Sequence, residues 1–168
     1  LSIAKLLNPK ELTKSSEKVA HLFETQVAFA PKVVLVGYGK LGQEIAQSLH
    51  KRGIDPSIIE QDIDAIPVIR SEVSHVLYGD AGHEEILKGA KLDKATLLVI
   101  TPKDIDTVIE VVRSARHIHP KIQIVARLHE HVNHTLLDEL NVDYVSSEKE
   151  ELKVFLRKVH FHIKSLPT

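Results

Sequence analysis

Three glycines and one carboxylate are the residues of this chain best placed to do chemistry. Gly37, Gly39 and Gly42 lie in Lys32-Val-Val-Leu-Val-Gly-Tyr-Gly-Lys-Leu-Gly-Gln-Glu-Ile, where an apolar run passes into an amphipathic pattern, and Glu60 closes the next apolar run. Each glycine has a mechanical reason: Gly37 allows the tight turn, Gly39 keeps no side chain between backbone and pyrophosphate, and Gly42 lets helix and strand approach closely. Free amides and the positive end of the helix dipole then meet the phosphates of a nucleotide. Glu60 stands 18 residues beyond Gly42, near the spacing of about 20 for the acid that accepts from ribose hydroxyls. A carboxylate there repels a 2′-phosphate, which disfavours an NADP-type ligand. Asp62 either shares this role or is a solvated turn residue.

Other residues join the same candidate surface. Tyr38 and Leu41 fill the glycine loop, and Gln61 follows Glu60. In Tyr78-Gly79-Asp80-Ala81, Asp80 either accepts from the amino group of an adenine or caps a helix. Lys40 pairs with a phosphate or serves solubility. Arg127 and Thr101 each end an apolar run that faces the crevice of an open α/β sheet, and Arg127 either reaches an anion or pairs with Glu130 or Asp104. Among the eleven histidines, His129, His131 and His134 cluster, with His117 and His119 near them in sequence. Their spacing is not that of a zinc hydrolase and cysteine partners are missing, so no metal is expected.

These residues need a scaffold that presents strand ends. Apolar runs at Lys32–Val36, Ser57–Glu60, Val73–Leu77, Ala95–Ile100, Lys121–Ala126 and Asp143–Val145 alternate with helical patterns such as Leu41/Ile45/Leu49, Val108/Val111/Val112/Ala115 and Leu136/Leu137/Leu140. That alternation predicts βαβ units in a doubly wound parallel α/β sheet, Rossmann-like, with strand order 3-2-1-4-5-6. Pro67 marks the first turn of a short helix. Residues 1–30, with a helical pattern around Val19, Leu22 and Phe23, read as a linker or docking helix, and 31–147 as the nucleotide domain. In 148–168, Ser147 and Glu150 have capping-box spacing before a stripe of Leu152, Phe155, Leu156, Val159 and Ile163. Val154 and Phe161 add a second apolar edge to this amphipathic C-terminal helix, which is either a dimer contact or a well-buried terminal helix.

Composition narrows the function. Of 168 residues 43% are apolar, enough for one real core, and a net charge of −1 without a basic block gives no electrostatic grip on nucleic acid. The absence of cysteine removes disulfide and thiolate chemistry. No run approaches the roughly 18 to 20 apolar residues of a membrane span. A chain that starts at Leu1 and contains no methionine is expected to be cut from a longer polypeptide. After the nucleotide fold there is no room for a substrate domain, and no acid, base or nucleophile set converges, so no catalytic residue is assigned. The expectation is a regulatory domain that binds a nucleotide, not an enzyme.

The succession Gly-Tyr-Gly-Lys-Leu-Gly, Glu60-Gln-Asp, Tyr-Gly-Asp-Ala at 78–81 and Ile-Val-Ala-Arg at 124–127 resembles the RCK N-terminal (TrkA-N) domain. Ser114-Ala-Arg followed by His-Pro-Lys-Ile-Gln-Ile-Val-Ala-Arg is similar to the cytoplasmic domains of Kef-type monovalent cation:proton antiporters. That resemblance implies a regulatory domain on the cytoplasmic face of the membrane, attached to a transport domain of the same polypeptide. It implies a homodimer that binds AMP, ADP, ATP or NAD(H) to bias potassium or other cation transport. By the same resemblance Gly37, Gly39, Lys40 and Leu41 face phosphate, Glu60 the ribose, and Asp80 and Ala81 the adenine. Lys40 stands where arginine is common, keeping charge but not bidentate recognition. Glutathione-gated members carry basic residues where this chain has Asp138 and Glu139, so glutathione control is not implied. A subunit of a potassium channel or Trk/Ktr uptake system uses the same domain, and an NAD-dependent oxidoreductase is the alternative of another class.

Overall fold

In a computed structural model, which describes residues 30–128, 135–145 and 151–164, all six apolar runs become strands. They are β1 (Val33–Val36), β2 (Ser57–Glu60), β3 (His75–Tyr78), β4 (Leu97–Ile100), β5 (Gln123–Arg127) and β6 (Asp143–Val145). They form one sheet in the expected order β3-β2-β1-β4-β5-β6, with every pair parallel. The helices are α1 (Lys40–His50), α2 (Ile66–Glu72), α3 (Glu84–Gly89), α4 (Ile105–Ile118), α5 (Thr135–Glu139) and α6 (Glu151–Lys164).

Parallel strands covered on both faces need side chains that are apolar at successive positions. β1 shows why: Val33 and Leu35 enter one core with Ile45 and Leu49 of α1, Ile69 of α2, and Phe155 and Val159 of α6. Val34 and Val36 enter the other, with Leu87 of α3 and Val108, Val111, Val112 and Ala115 of α4. Consecutive connections therefore leave the sheet on opposite faces after β1 and β4. Their C-terminal ends part there and open a crevice.

The strand edges differ from the apolar runs by a residue or two. β3 starts at His75, not Val73, because Val73 is the extended residue ending α2 and its amide donates to Ile69 O at 2.9 Å. β4 and β5 each start two residues late, after Ala95 and Ile122 have already entered the core. Pro67 does fall in the first turn of α2. The helical pattern at Val19, Leu22 and Phe23, the histidines 129, 131 and 134, and the Ser147/Glu150 spacing lie outside the described residues.

The Ser114-Ala-Arg signature proves to be a staple. Ser114 Oγ donates to Gly82 O, and the Arg116 guanidinium donates to the carbonyls of Pro120, Ile122, Leu140 and Asn141. Four backbone acceptors on the approaches to β5 and β6 are thereby satisfied by one side chain. Partial burial lowers the Arg116 pKa without removing its charge. Among the described residues no helix is long and apolar enough to cross a membrane.

Candidate functional site

The crevice is floored by the turn from β1 to α1. Gly37 has φ +86°, a left-handed conformation, and its amide donates to Ile59 O at 2.9 Å. A Cβ there would lie 2.5 Å from Thr101 Oγ1 and 3.2 Å from Pro102 Cδ, so both backbone and packing demand glycine. A Cβ on Gly42 would strike the Gly37 carbonyl oxygen, which is how α1 packs so closely on the turn. Gly39 is different. It starts α1 with an ordinary φ of −62°, and a Cβ on it would meet nothing within 4 Å. The protein's own packing does not account for this glycine.

α1 begins without a side-chain cap and with no acidic residue in its first turn. The first main-chain bond into the helix runs from Gln43 N to Gly39 O, 2.9 Å. The preceding amides, from Gly39 to Gly42, have no acceptor among the described residues. Lys40 is exposed beside them and Leu41 is buried beneath. Unsatisfied donors, a helix dipole and a cation converge where an anion is favoured.

Glu60 is bound more firmly than its spacing suggests. Its Oε2 accepts from Tyr38 N at 2.7 Å, and its Oε1 accepts from Gln61 N at 2.8 Å and Asp62 N at 2.9 Å. A carboxylate has about four lone-pair positions, so three amides leave one, on Oε2, for an incoming hydroxyl. Asp62 forms a turn of its own, its Oδ1 accepting from Asp64 N at 3.0 Å. Asp80 Oδ1 accepts from Gly82 N at 2.8 Å, an Asx-type turn, while the residue that caps α3 is His83. Oδ2 of Asp80 has no partner among the described residues.

Gly37, Glu60, Gln61, Gly79, Asp80 and Ala81 line one cleft of about 120 Å³. The structure thus brings together six of the residues singled out from sequence. It adds apolar and hydroxyl walls that sequence reasoning missed: Val36 and Ile59 from the strands, Pro102 from the β4–α4 turn, and Thr107 and Val111 from α4. Thr107 and Val111 share one helical face at i and i+4, a spacing that groups them on α4 without saying which cleft they line. Thr107 is held by Asp104, which accepts from both its amide and its hydroxyl at 2.9 Å.

The remaining candidates stand around the cleft without lining it. Thr101 is buried and donates from Oγ1 to Val36 O at 2.9 Å and Gly37 O at 3.3 Å, propping the glycine turn from below. The Tyr38 side chain turns away, its hydroxyl donating to Glu72 Oε2 at 2.9 Å. Burial first, then the Glu72 hydrogen bond and charge, push the phenol up to about 12, so it remains a donor at neutral pH. Arg127 ends β5 outside the cleft lining and is itself engaged in an interaction. Among the described residues no group of three or more His, Cys, Asp or Glu is arranged to hold a metal ion.

Comparison with known proteins converges on one family. The family described as the TrkA-N domain matches residues 33–148. A glutathione-regulated potassium-efflux system protein of Haemophilus influenzae is 26% identical over 150 residues, which is 89% of this chain but 24% of that protein. The chain thus spans about a quarter of that relative's length. Among solved structures, the TrkA-N domain of inner membrane protein ybaL from Escherichia coli is 28% identical with a TM-score of 0.68, over 79% of this chain and 98% of that one. The Shewanella denitrificans Kef CTD in its AMP-bound form is 26% identical with a TM-score of 0.59, over 80% and 81%.

Proposed function

The chain belongs to the TrkA-N domain family, and on that premise we propose that it is a nucleotide-sensing regulatory domain of a potassium or monovalent cation:proton antiporter. One observation carries the reading: the open amides from Gly39 to Gly42 adjoin a cleft walled by Glu60 and Asp80. Phosphate rests on Gly37, Gly39, Lys40 and Leu41. The free lone pair of Glu60 Oε2 accepts a ribose hydroxyl, and Asp80 Oδ2 accepts the adenine amino group, with Ala81, Pro102 and Val111 against the ring. The Kef CTD of Shewanella denitrificans, named with AMP, supports an adenine nucleotide as the class of ligand, drawn from AMP, ADP, ATP and NAD(H).

The domain acts by population shift, not by catalysis. A homodimer with two arrangements, one of which binds nucleotide better, passes the difference in affinity to an attached membrane domain from the cytoplasmic side. Equal affinity for both arrangements transmits nothing.

Calorimetry with AMP, ADP, ATP and NAD(H) tests this on the wild type and on Asp80→Asn. Asparagine keeps an acceptor for Gly82 N but can present an amide donor to the adenine amino group, so affinity falls about tenfold or more while the fold is kept. Absence of heat with all of the nucleotides overturns the reading.

A further inference from the structure

The C-terminal half of α6 meets α1 through a histidine whose proton count the geometry determines. His160 Nδ1 stands 3.1 Å from Arg52 Nη2, and His160 Nε2 stands 3.0 Å from Ser48 Oγ. A guanidinium has donors and no acceptor, so Nδ1 must accept and must be bare. Nε2 then carries the single proton and donates to Ser48 Oγ. A second proton has only one place to go, and there it points an N–H at an N–H, with two positive charges in contact. The groups around His160 are Ser48 on α1, Arg52 just beyond it, and Lys164 one turn further along α6. Burial first, then Arg52 and Lys164, lower its pKa, in agreement with the contact geometry.

Two residues further on, the helix is held by a contact of opposite polarity. His162 Nε2 lies 2.6 Å from Asp143 Oδ2 on β6, and Lys158 Nζ lies 3.4 Å from Asp143 Oδ1. Asp138 of α5 lines one cavity together with Asp143 and His162. His162 therefore faces the Asp143 carboxylate and not a cation. Partial burial works to raise the Asp143 pKa, but the His162 and Lys158 contacts outweigh it and hold the carboxyl below its ordinary range. Asp143 therefore stays ionised throughout the range in which histidines titrate.

We propose that α6 is a proton-operated latch: neutral His160 ties the helix to α1, and protonation of His160 breaks that tie while the His162–Asp143 contact keeps the helix on β6. The sign follows from the lowered His160 pKa. Stability from this contact is full above the ordinary histidine value of about 6.5 and is lost as pH falls through it toward the lower folded value. The latch goes beyond the nucleotide reading and does not depend on it, although α1 is also the helix whose first turn faces the cleft.

Hydrogen exchange along α6 and NMR titration of the histidine rings, both on the intact 168-residue chain, test the latch without nucleotide. Corrected for intrinsic exchange, protection of the α6 amides falls about tenfold between about pH 7.5 and 5.5. In His160→Gln, whose amide offers an acceptor to Arg52 and a donor to Ser48 but cannot titrate, protection stays flat. Arg52→Leu, with no guanidinium to repel the second proton, raises the His160 titration midpoint and flattens the profile, which serves should the glutamine variant fail to fold. Equal pH dependence in wild type and His160→Gln, or a His160 midpoint unmoved by Arg52→Leu, overturns the proposal.

Discussion

The cleft beside the glycine turn and the α6 seam share a sheet and share α1, yet they are held by opposite kinds of contact. In the cleft, side-chain and backbone oxygens take main-chain amides: Tyr38 N reaches Glu60 across 22 positions, and Gln61 N, Asp62 N and Gly82 N find carboxylates one or two residues away. At the seam, side chain meets side chain, with Ser48 and His160 separated by 112 positions. No imidazole takes part in these cleft contacts, so a change in histidine charge leaves them in place. The seam answers to the charge of individual imidazoles. The sensing role proposed above needs both a rigid receptor and a joint soft enough to move.

Breaking the seam at its apolar base should have the largest effect. Phe155 is fully buried against the core that Leu35, Val99 and Val125 supply, and Phe155→Ala should destabilise the fold by about 3–5 kcal/mol. A urea melt would show this as a lower midpoint. The comparison holds if the fraction still folded binds nucleotide within about twofold of wild type. A cleft that empties along with the seam would mean the two are one unit.

Breaking the cleft from inside comes next. At Gly37 an added methyl faces both a left-handed φ and the hydroxyl of Thr101, so Gly37→Ala should destabilise by about 2 kcal/mol and abolish nucleotide binding. Hydrogen exchange on α6 should stay at wild-type levels relative to global stability. Thr101→Val is gentler. It keeps the shape and removes the donor to Val36 O and Gly37 O, which should lower the thermal midpoint by the equivalent of about 1 kcal/mol. Nucleotide affinity should weaken severalfold because the prop, not the floor, has been taken away.

How much of this was legible in sequence divides along the same line. Val33–Val36 and Leu97–Ile100 read directly as strands because burial on both faces demands a local run of apolar residues. Gly37 and Gly42 read directly because a left-handed turn and a close approach of helix to turn each require a residue with no side chain. The three amides on Glu60 were invisible, since a main-chain donor has no letter of its own. Pro102, Thr107 and Val111 reach the cleft only because β4 sits beside β1 and α4 crosses the far face, a consequence of topology and not of spacing. Arg116 stood out as a motif, but only folded positions reveal that it serves four carbonyls. His160 and Arg52 meet through the rotation of a helix fixed by Phe155 and Val159, and nothing near either residue in sequence announces the other.

The smallest structural change gives the sharpest test. Gly39 has an ordinary φ and open space where its Cβ would stand, so Gly39→Ala should change stability by no more than about 0.5 kcal/mol. Alanine even narrows the unfolded ensemble slightly, which works in its favour. Yet the methyl would occupy the space in which a phosphate must approach the amides of Lys40 and Leu41, and calorimetry should find affinity reduced by about tenfold or more. Thermal melts and nucleotide titration of this one variant thus separate two reasons for a glycine. If affinity survives, the open loop is an accident of packing and the phosphates lie elsewhere; if stability falls instead, the loop is closed by contacts of its own and is no cradle. Unchanged melting with lost binding leaves a single explanation, that the glycine is there for the ligand.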